Sequence, residues 1–424
     1  SLVSIGIQIG TSFTQYMFKF EESKQFRQPK WGEEYGLNTP NTPTCILFDE
    51  YGEFLKFGYD AVMTYTRLTP RDKAQKLYYF ENFSLELKDK VLHRDLKITA
   101  KNGKTMTALK VFSESLKFMK DHALDVIERH TSGVKYSASD ATWVLTVPAI
   151  WSSAAKQFFR EAATEAGLVT ESDPENLIVA LESEAAGVWC KQLPKEGFME
   201  GDLTEAETIE EISGTQYMVV DCGDESIDIT VHKMVDGGRL KELHRVSGND
   251  VGGRRVDKNF ISFLREIFSD EVFDEFEKSS PSELKRLMYD FSICKRYDGG
   301  VMVQCPYSLQ QLAGKVKDVE DYFEGNRDAE WESGQIVLSG AKMRALHDDS
   351  LRGIESLIEG ILEKCNLNIR YIFLVGGFAL IPKVNSFVKG KFGSKYKVLC
   401  PVDAKMAVVS GAVLLGSMPN VVES

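Results

Sequence analysis

Ser4-Ile5-Gly6-Ile7-Gln8-Ile9-Gly10-Thr11-Ser12-Phe13-Thr14-Gln15-Tyr16-Met17-Phe18 reads as an apolar strand, a Gly-containing polar turn and a second apolar strand. The same plan returns near the middle of the chain, at Met218-Val219-Val220-Asp221-Cys222-Gly223-Asp224-Glu225-Ser226-Ile227-Asp228-Ile229-Thr230-Val231. In each copy a polar residue, Gln8 or Asp221, stands just ahead of the residue-Gly pair that opens the turn. Two related hairpins in the two halves of one chain predict two lobes built on one plan, with their turns facing each other across a cleft. Strand-turn units of this kind expose backbone N–H groups that can cradle phosphate oxygens. Gly10, Thr11 and Ser12 suit that role, because both hydroxyls can also donate. The second turn carries Asp224 and Glu225, where an anionic ligand would need bare backbone.

Composition sets the frame around these hairpins. The chain has 424 residues, enough for two or more domains, and its 43% apolar and 27% charged content is that of an ordinary globular protein. A formal net charge of -12 argues against nucleic acid or an anionic membrane as the main partner. The seven cysteines are dispersed and form no CxxC pair, which points to buried thiols in a reducing, cytoplasmic compartment. The opening residues read as a strand rather than a signal peptide, and no apolar run approaches the roughly 20 residues that span a bilayer.

Outward from the hairpins, Trp31–Thr44 reads as a loop, and Cys45–Phe48 with Phe54–Phe57 as strands joined by a turn. Val111–His130 carries a helical apolar stripe. Ala141–Val147 is an apolar strand stopped by Pro148. Ser152 or Ser153 can cap the following helix, and Gly167 ends it. Pro194–Thr215 is acidic and poor in large apolar residues, and is expected to be a solvated loop between the lobes. Phe260–Phe291 reads as mostly helical, and Leu351–Leu362 as another helical stripe. Tyr371–Val375 is a buried strand running into Gly376-Gly377, and Ala404–Leu415 a small-residue helix. Alternating strands and helices predict an α/β fold.

Further Gly pairs occur at Gly252-Gly253 and Gly376-Gly377. Singly they are ordinary turns; their order with the two hairpins makes a pattern. Thr42-Pro43-Thr44, Val144-Leu145-Thr146-Val147-Pro148-Ala149, Leu181-Glu182-Ser183-Glu184-Ala185-Ala186-Gly187 and Ser410-Gly411-Ala412 complete the series. In this order the chain resembles the nucleotide-binding domain of the heat-shock seventy chaperones, within the actin and sugar-kinase superfamily. Thr146-Val147-Pro148-Ala149-Ile150-Trp151 and Val375-Gly376-Gly377-Phe378-Ala379 are most similar to the atypical class-twelve members.

The resemblance implies a two-lobed actin-like ATPase fold with a central cleft, a duplicated mixed-sheet core and two smaller subdomains. Lobe I would span 1–193, with a small subdomain at about 39–107. An acidic loop would follow at 194–215, then lobe II at 216–424 with a small subdomain at about 254–335. It implies Mg-ATP or ADP as ligand. Gly10, Thr11, Ser12, Gly223, Ser226, Gly252 and Gly253 would hold phosphates. Glu182 would place the attacking water, and Asp221 the hydration shell of the metal, with Asp228 beside it. Lys295, Arg296, Gly376, Gly377 and Phe378 would line the nucleoside. From the residues alone, Glu182 reads equally as a surface carboxylate at a helix start, and Lys295 and Arg296 as a solvated helix face.

The departures from the family pattern decide the functional expectation. The first-strand Asp of the family is Gln8, and its glycine-rich second turn is Gly223-Asp224-Glu225-Ser226. Ser292 stands near the adenosine position where a Glu is expected, and no lysine can be assigned to the catalytic place. A carboxylate about 4 Å from a phosphate, at an effective dielectric near 20, costs roughly 4 kcal/mol, or about three decades in affinity. The expectation is therefore a binding protein rather than an efficient ATPase. Its cleft would hold a small, neutral polar ligand such as a sugar, through Gln8, Asp221, Asp224, Glu225 and Asp228, or its lobes would engage protein partners. A working Mg-ATPase and, behind it, a sugar kinase are the alternatives. Motifs for hydrolase, zinc-peptidase and P-loop chemistry are absent, and no metal ligands are expected among the histidines.

Overall fold

The computed structural model describes residues 1–69, 73–88, 90–148, 151, 153–364 and 366–418. Ala149, Ile150, Ser152 and Cys365 lie outside the described residues, and with them part of the Pro148-Ala149-Ile150 motif and one of the two helix-cap candidates.

Both hairpins form. Val3–Ile9 pairs antiparallel with Phe13–Phe20, and Gln216–Cys222 with Ser226–Met234. Each first strand then takes a parallel neighbour on its other side: Ala141–Val147 beside Val3–Ile9, and Ile369–Val375 beside Gln216–Cys222. A further parallel strand follows in each sheet, Leu177–Leu181 in one and Lys397–Leu399 in the other. The sheets close at the opposite edge with Thr42–Pro43 and Leu240–Asn249. Two five-stranded mixed sheets therefore share one strand order. With eleven α-helices among the described residues, this is the two-lobed actin-like architecture.

Each lobe has its own core. In lobe I, Ile5, Ile7, Phe112, Leu116, Trp143 and Phe159 pack in one cluster; in lobe II, Val220, Ile229, Phe260, Phe291, Ile358 and Leu374 pack in another. A third cluster, with Val144, Ala185, Val219, Phe373 and Ala412, spans both sheets. It forms where the helices Glu182–Lys191 and Ala407–Ser417 cross. Their small residues permit the crossing: a Cβ on Gly411 would lie 1.7 Å from the Ala185 carbonyl oxygen. The Ala185-Ala186-Gly187 and Ser410-Gly411-Ala412 stretches are thus packing devices that set the distance between the lobes.

The helical stripe begins slightly earlier than its spacing predicts, at Ala108, because Thr107 caps the Lys110 N–H. Gly167 follows the Ser153–Glu165 helix at φ +81°. The acidic segment contains a short 3-10 turn at Lys195–Gly197 and no strand or α-helix among its described residues. Its solvation is incomplete, which corrects the simple loop picture. Phe198 and Leu203 are buried, Asp202 pairs with Lys389 at 2.6 Å, and Glu207 and Glu210 pair with Lys397 and Arg370 at 2.9 Å each. Its carboxylates clamp it to basic residues of lobe II. The six described cysteines are free thiols, five of them buried.

Candidate functional site

The register of the two hairpins puts Gln8 opposite Gln15 and Asp221 opposite Asp228. These cross-strand pairs occupy corresponding places just ahead of each turn. In hairpin I the two amides bond to each other, with Gln15 Nε2 donating to Gln8 Oε1 at 2.7 Å. In hairpin II two carboxylates face each other. Asp228 is held by the Ser226 hydroxyl at 3.0 Å and by the Ser247 hydroxyl.

Glu182 joins this group from the first turn of the helix Glu182–Lys191, following the strand Leu177–Leu181. It is buried, not a surface carboxylate, and the Gln8 side chain hydrogen-bonds it. Burial first, then the charges of Asp221 and Asp228, push its carboxyl well above the usual range. Burial and Asp228 push Asp221 up to about 7, and burial also raises Asp228. Lys88, which the sequence reading did not assign, is the cation whose charge acts against the rise at Asp228. A set of carboxylates gathered from both lobes, raised by burial and, at Glu182 and Asp221, also by like charge, has the donor chemistry for a hydrated divalent cation. No three His, Cys, Asp or Glu side chains among the described residues converge closely enough to ligate a metal directly. Any metal here would be held through its water shell.

The phosphate side differs between the lobes. In hairpin I the Gly10 N–H closes the turn on the Phe13 carbonyl at 2.9 Å, and the Thr44 hydroxyl donates to the Gly10 carbonyl at 2.9 Å. That contact accounts for the Thr42-Pro43-Thr44 motif. The Thr11 and Ser12 hydroxyls have no protein partner among the described residues, so both are available to a ligand. In hairpin II the Gly223 and Asp224 carbonyls accept from the Gly253 and Arg254 N–H groups at 3.1 and 2.7 Å. The Gly253 N–H is therefore spent on joining the turn to the helix Gly253–Phe268. Ser226 gives its hydroxyl to Asp228.

The Asp224 carboxylate lies against Gly253, within 3.3 Å of where a Cβ on that residue would stand. Burial raises its pKa, opposed by Lys295, Lys405 and Arg254. Glu225 reaches Arg254 at 3.5 Å. With the Asn82 amide oriented so that its oxygen faces the guanidinium, Arg254 donates to that oxygen at 3.3 Å and Asn82 donates to the Thr11 carbonyl at 3.1 Å. The two turns are thus linked through Arg254 and Asn82.

The nucleoside side is altered as well. Lys295 is buried and paired with Asp257 at 2.8 Å, whereas Arg296 is exposed. Gly376 has φ +90°, and a Cβ there would meet the Cys222 carbonyl at 2.3 Å and Asp221 Oδ1 at 2.9 Å, so this glycine seats the strand end against Asp221. The Lys405 stem covers Gly377, its Cγ, Cδ and Cε 3.6 to 4.0 Å from the Cβ direction. Lys405 Nζ stands 5.7 Å from the centre of the Phe13 ring. No sequence signal marks this lysine; only the fold brings it to the glycine pair. Phe378 turns its ring into the lobe II core at 4% exposure, with its edge 3.3 Å from where a Cβ on Gly253 would stand. An apolar ring beside the lobe II helices is buried there rather than left in a polar cleft.

Comparison with known proteins agrees with this architecture. The Hsp70 protein family profile matches residues 78–421. Human heat shock 70 kDa protein 12B is 31% identical over 476 aligned residues, which cover 99% of this chain and 69% of that protein. Heat shock 70 kDa protein 12A from mouse and from human are each 31% identical, covering 100% of this chain and 70% of theirs. The chain belongs to the Hsp70 family. The class-twelve resemblance read from the Val147-Pro148 and Gly376-Gly377 stretches accords with these relatives. As an Hsp70-family nucleotide-binding domain, the chain has a site compatible with Mg-ATP or ADP in general outline. No helix among the described residues is long and apolar enough to cross a membrane.

Proposed function

We propose that this Hsp70-family domain works as a ligand- or partner-binding module and not as an efficient ATPase. The observation that carries this reading is the Asp224 carboxylate, set in the second phosphate turn with no hydrogen bond or ion pair among the described residues. A polyphosphate approaching that turn meets the half-buried Asp224 carboxylate, and the Gly253 and Arg254 N–H groups beside it are already bonded to the turn carbonyls. The Lys405 stem over Gly377 narrows the nucleoside side in the same way. A neutral polar ligand meets neither obstacle. The Thr11 and Ser12 hydroxyls, with Gln8, Glu225 and Asp228, offer donors and acceptors suited to the hydroxyls of a sugar. We take the domain limits as 1–193 and 216–424 with the acidic segment between, and a cytoplasmic setting.

Mg-ATP binding with slow turnover is the second reading. The carboxylate set favours it: Glu182, Asp221 and Asp228 are arranged for the water shell of Mg²⁺, which when bound would neutralise phosphate charge. Lys88, beside Asp228, is then the cation best placed to meet the transferring phosphate. The test is ATP hydrolysis by the purified chain with saturating Mg²⁺, alongside titration with uncharged monosaccharides. The expected result is hydrolysis at the level of an Asp221→Asn control and heat from at least one sugar. Hydrolysis well above that control would overturn the first reading in favour of the second.

A further inference from the structure

The seam between the lobes holds polar groups that the fold leaves without partners. Tyr217, Val219 and Met234 of the lobe II sheet pack there with Ala185, Ala186 and Cys190 of the helix Glu182–Lys191. Thr230 and His232 share the Met234 face of their strand, because alternate residues point the same way. Tyr217, Thr230 and His232 are all buried. Among the described residues the Tyr217 and Thr230 hydroxyls and both ring nitrogens of His232 have no hydrogen-bond partner. The buried Ser183 hydroxyl, on the helix itself, has none either. Gly187 brings the helix down on this layer: a Cβ there would stand 2.8 Å from the Tyr217 hydroxyl. The Tyr217 and His232 rings lie 5.6 Å apart.

Buried polar groups are normally partnered, and an orphan costs its lost hydration. The apolar contacts of the seam therefore close the lobes against a layer of groups that water would satisfy if they parted. His232 is the member of that layer able to gain a charge near neutral pH. Tyr217 faces it from the strand Gln216–Cys222 and Glu242 from the strand Leu240–Asn249. Glu184 and Cys190 of the helix act on Tyr217, and Lys156, Glu242 and Arg245 act on Glu184. On its own strand the nearest charged residues are Lys233 and Asp228. None of these offsets the effect of burial, which alone lowers the ring's pKa from 6.5 to about 4.

We propose that this seam is a proton-sensitive hinge, in which His232 takes up a proton when the lobes part and so favours the parted state in acid. In the closed state the imidazolium would be buried without a hydrogen-bond acceptor, whereas in the parted state it is hydrated. Closure is thus fully supported above pH 6.5, and the support is lost as pH falls toward 4. Glu182 stands in the first turn of the same helix, so parting withdraws it from Asp221 and Asp228. Those three carboxylates act in the opposite direction, since burial raises each of them and protonation in acid favours closure. Comparison with a variant that lacks the imidazole separates the two effects.

Hydrogen exchange of the full chain and of His232→Gln, each at pH 7 and pH 5, reads the parting directly. Comparing the two proteins at one pH cancels the intrinsic pH dependence of exchange and the carboxylate contribution. In the segments Glu182–Lys191 and Ser226–Met234, the ratio of parent to variant exchange should rise about twentyfold between pH 7 and pH 5, as one proton moving between pKa values of about 4 and 6.5 requires. The helix Ala108–His130, away from the seam, should exchange alike in both proteins. His232→Phe, apolar and equally unable to titrate, should give the same pH dependence and carries the comparison if the Gln variant fails to fold. A parent-to-variant ratio that is the same at both pH values would overturn the proposal and leave His232 a space-filling residue. An equal rise in the helix Ala108–His130 would also overturn it, because the proton would then report global unfolding.

Discussion

Hairpins I and II are the same structure with opposite electrostatics. Both pair a first strand with a second across a Gly-containing turn, and both set a cross-strand polar pair just before it. Hairpin I joins two amides, Gln8 and Gln15, and leaves the Thr11 and Ser12 hydroxyls open. Hairpin II sets two carboxylates against each other, adds a third at Asp224 and ties its turn into the next helix. A backbone plan can be duplicated while the ligand chemistry of the copies diverges, because turn side chains contribute little to the strand pairing that defines the fold. On the proposed reading, hairpin I receives the ligand and hairpin II repels an anionic one.

The contrast can be broken most strongly at the second turn. Asp224→Gly combined with Glu225→Gly should raise ATP affinity by about three decades if charge repulsion is the block, measured by calorimetry. An unchanged affinity would move the obstacle elsewhere, to Lys405 first.

The next effect is on stability against pH. The folded-state pKa of Asp221 is raised from 3.8 to about 7, so the folded state holds that proton more tightly than the unfolded chain. Its contribution is present below pH 3.8 and is lost as pH rises toward 7. Asp221→Asn should remove that slope and stabilise the domain at pH 7 by about 1–3 kcal/mol, read from denaturant melts between pH 4 and 8. Equal pH slopes in the two proteins would mean that neither burial nor Asp228 raises the Asp221 carboxyl. The matching change in hairpin I, Gln8→Asp, should destabilise at pH 7 by about 1–2 kcal/mol. Millimolar Mg²⁺ should reverse that loss, and melts with and without Mg²⁺ show whether it does.

Smaller effects test the hydrogen bonds of hairpin I. Thr44→Val removes the donor to the Gly10 carbonyl and should cost about 1–2 kcal/mol. Gln15→Met loses the amide pair with Gln8 and should cost about 1 kcal/mol. Denaturant melts measure both, and a cost below about 0.3 kcal/mol would show that the turn is set by strand pairing alone.

The hairpins, the strand Ala141–Val147 and the glycine pairs were legible in the sequence because period-2 alternation and turn chemistry are local. The small residues at Ala185 and Gly411 could be read as motif but not as the seam between lobes, since the contact joins segments over 200 residues apart. Glu182 could be named but not located, because a helix-start carboxylate looks the same whether buried or exposed. Lys405 and Lys88 escaped notice for a related reason: a lysine carries no pattern until the fold brings it beside Gly377 or Asp228. Phe378 could be named but not oriented, because adjacency to a glycine pair fixes where the backbone lies, not which way the ring turns.

The most direct test of the divergence between the hairpins is calorimetric titration of the purified chain with ATP, with and without Mg²⁺, at physiological salt. The account predicts no saturable heat below millimolar ATP in either condition. Micromolar, Mg²⁺-dependent binding would contradict it and mean that the Asp224 and Glu225 carboxylates do not oppose the phosphates.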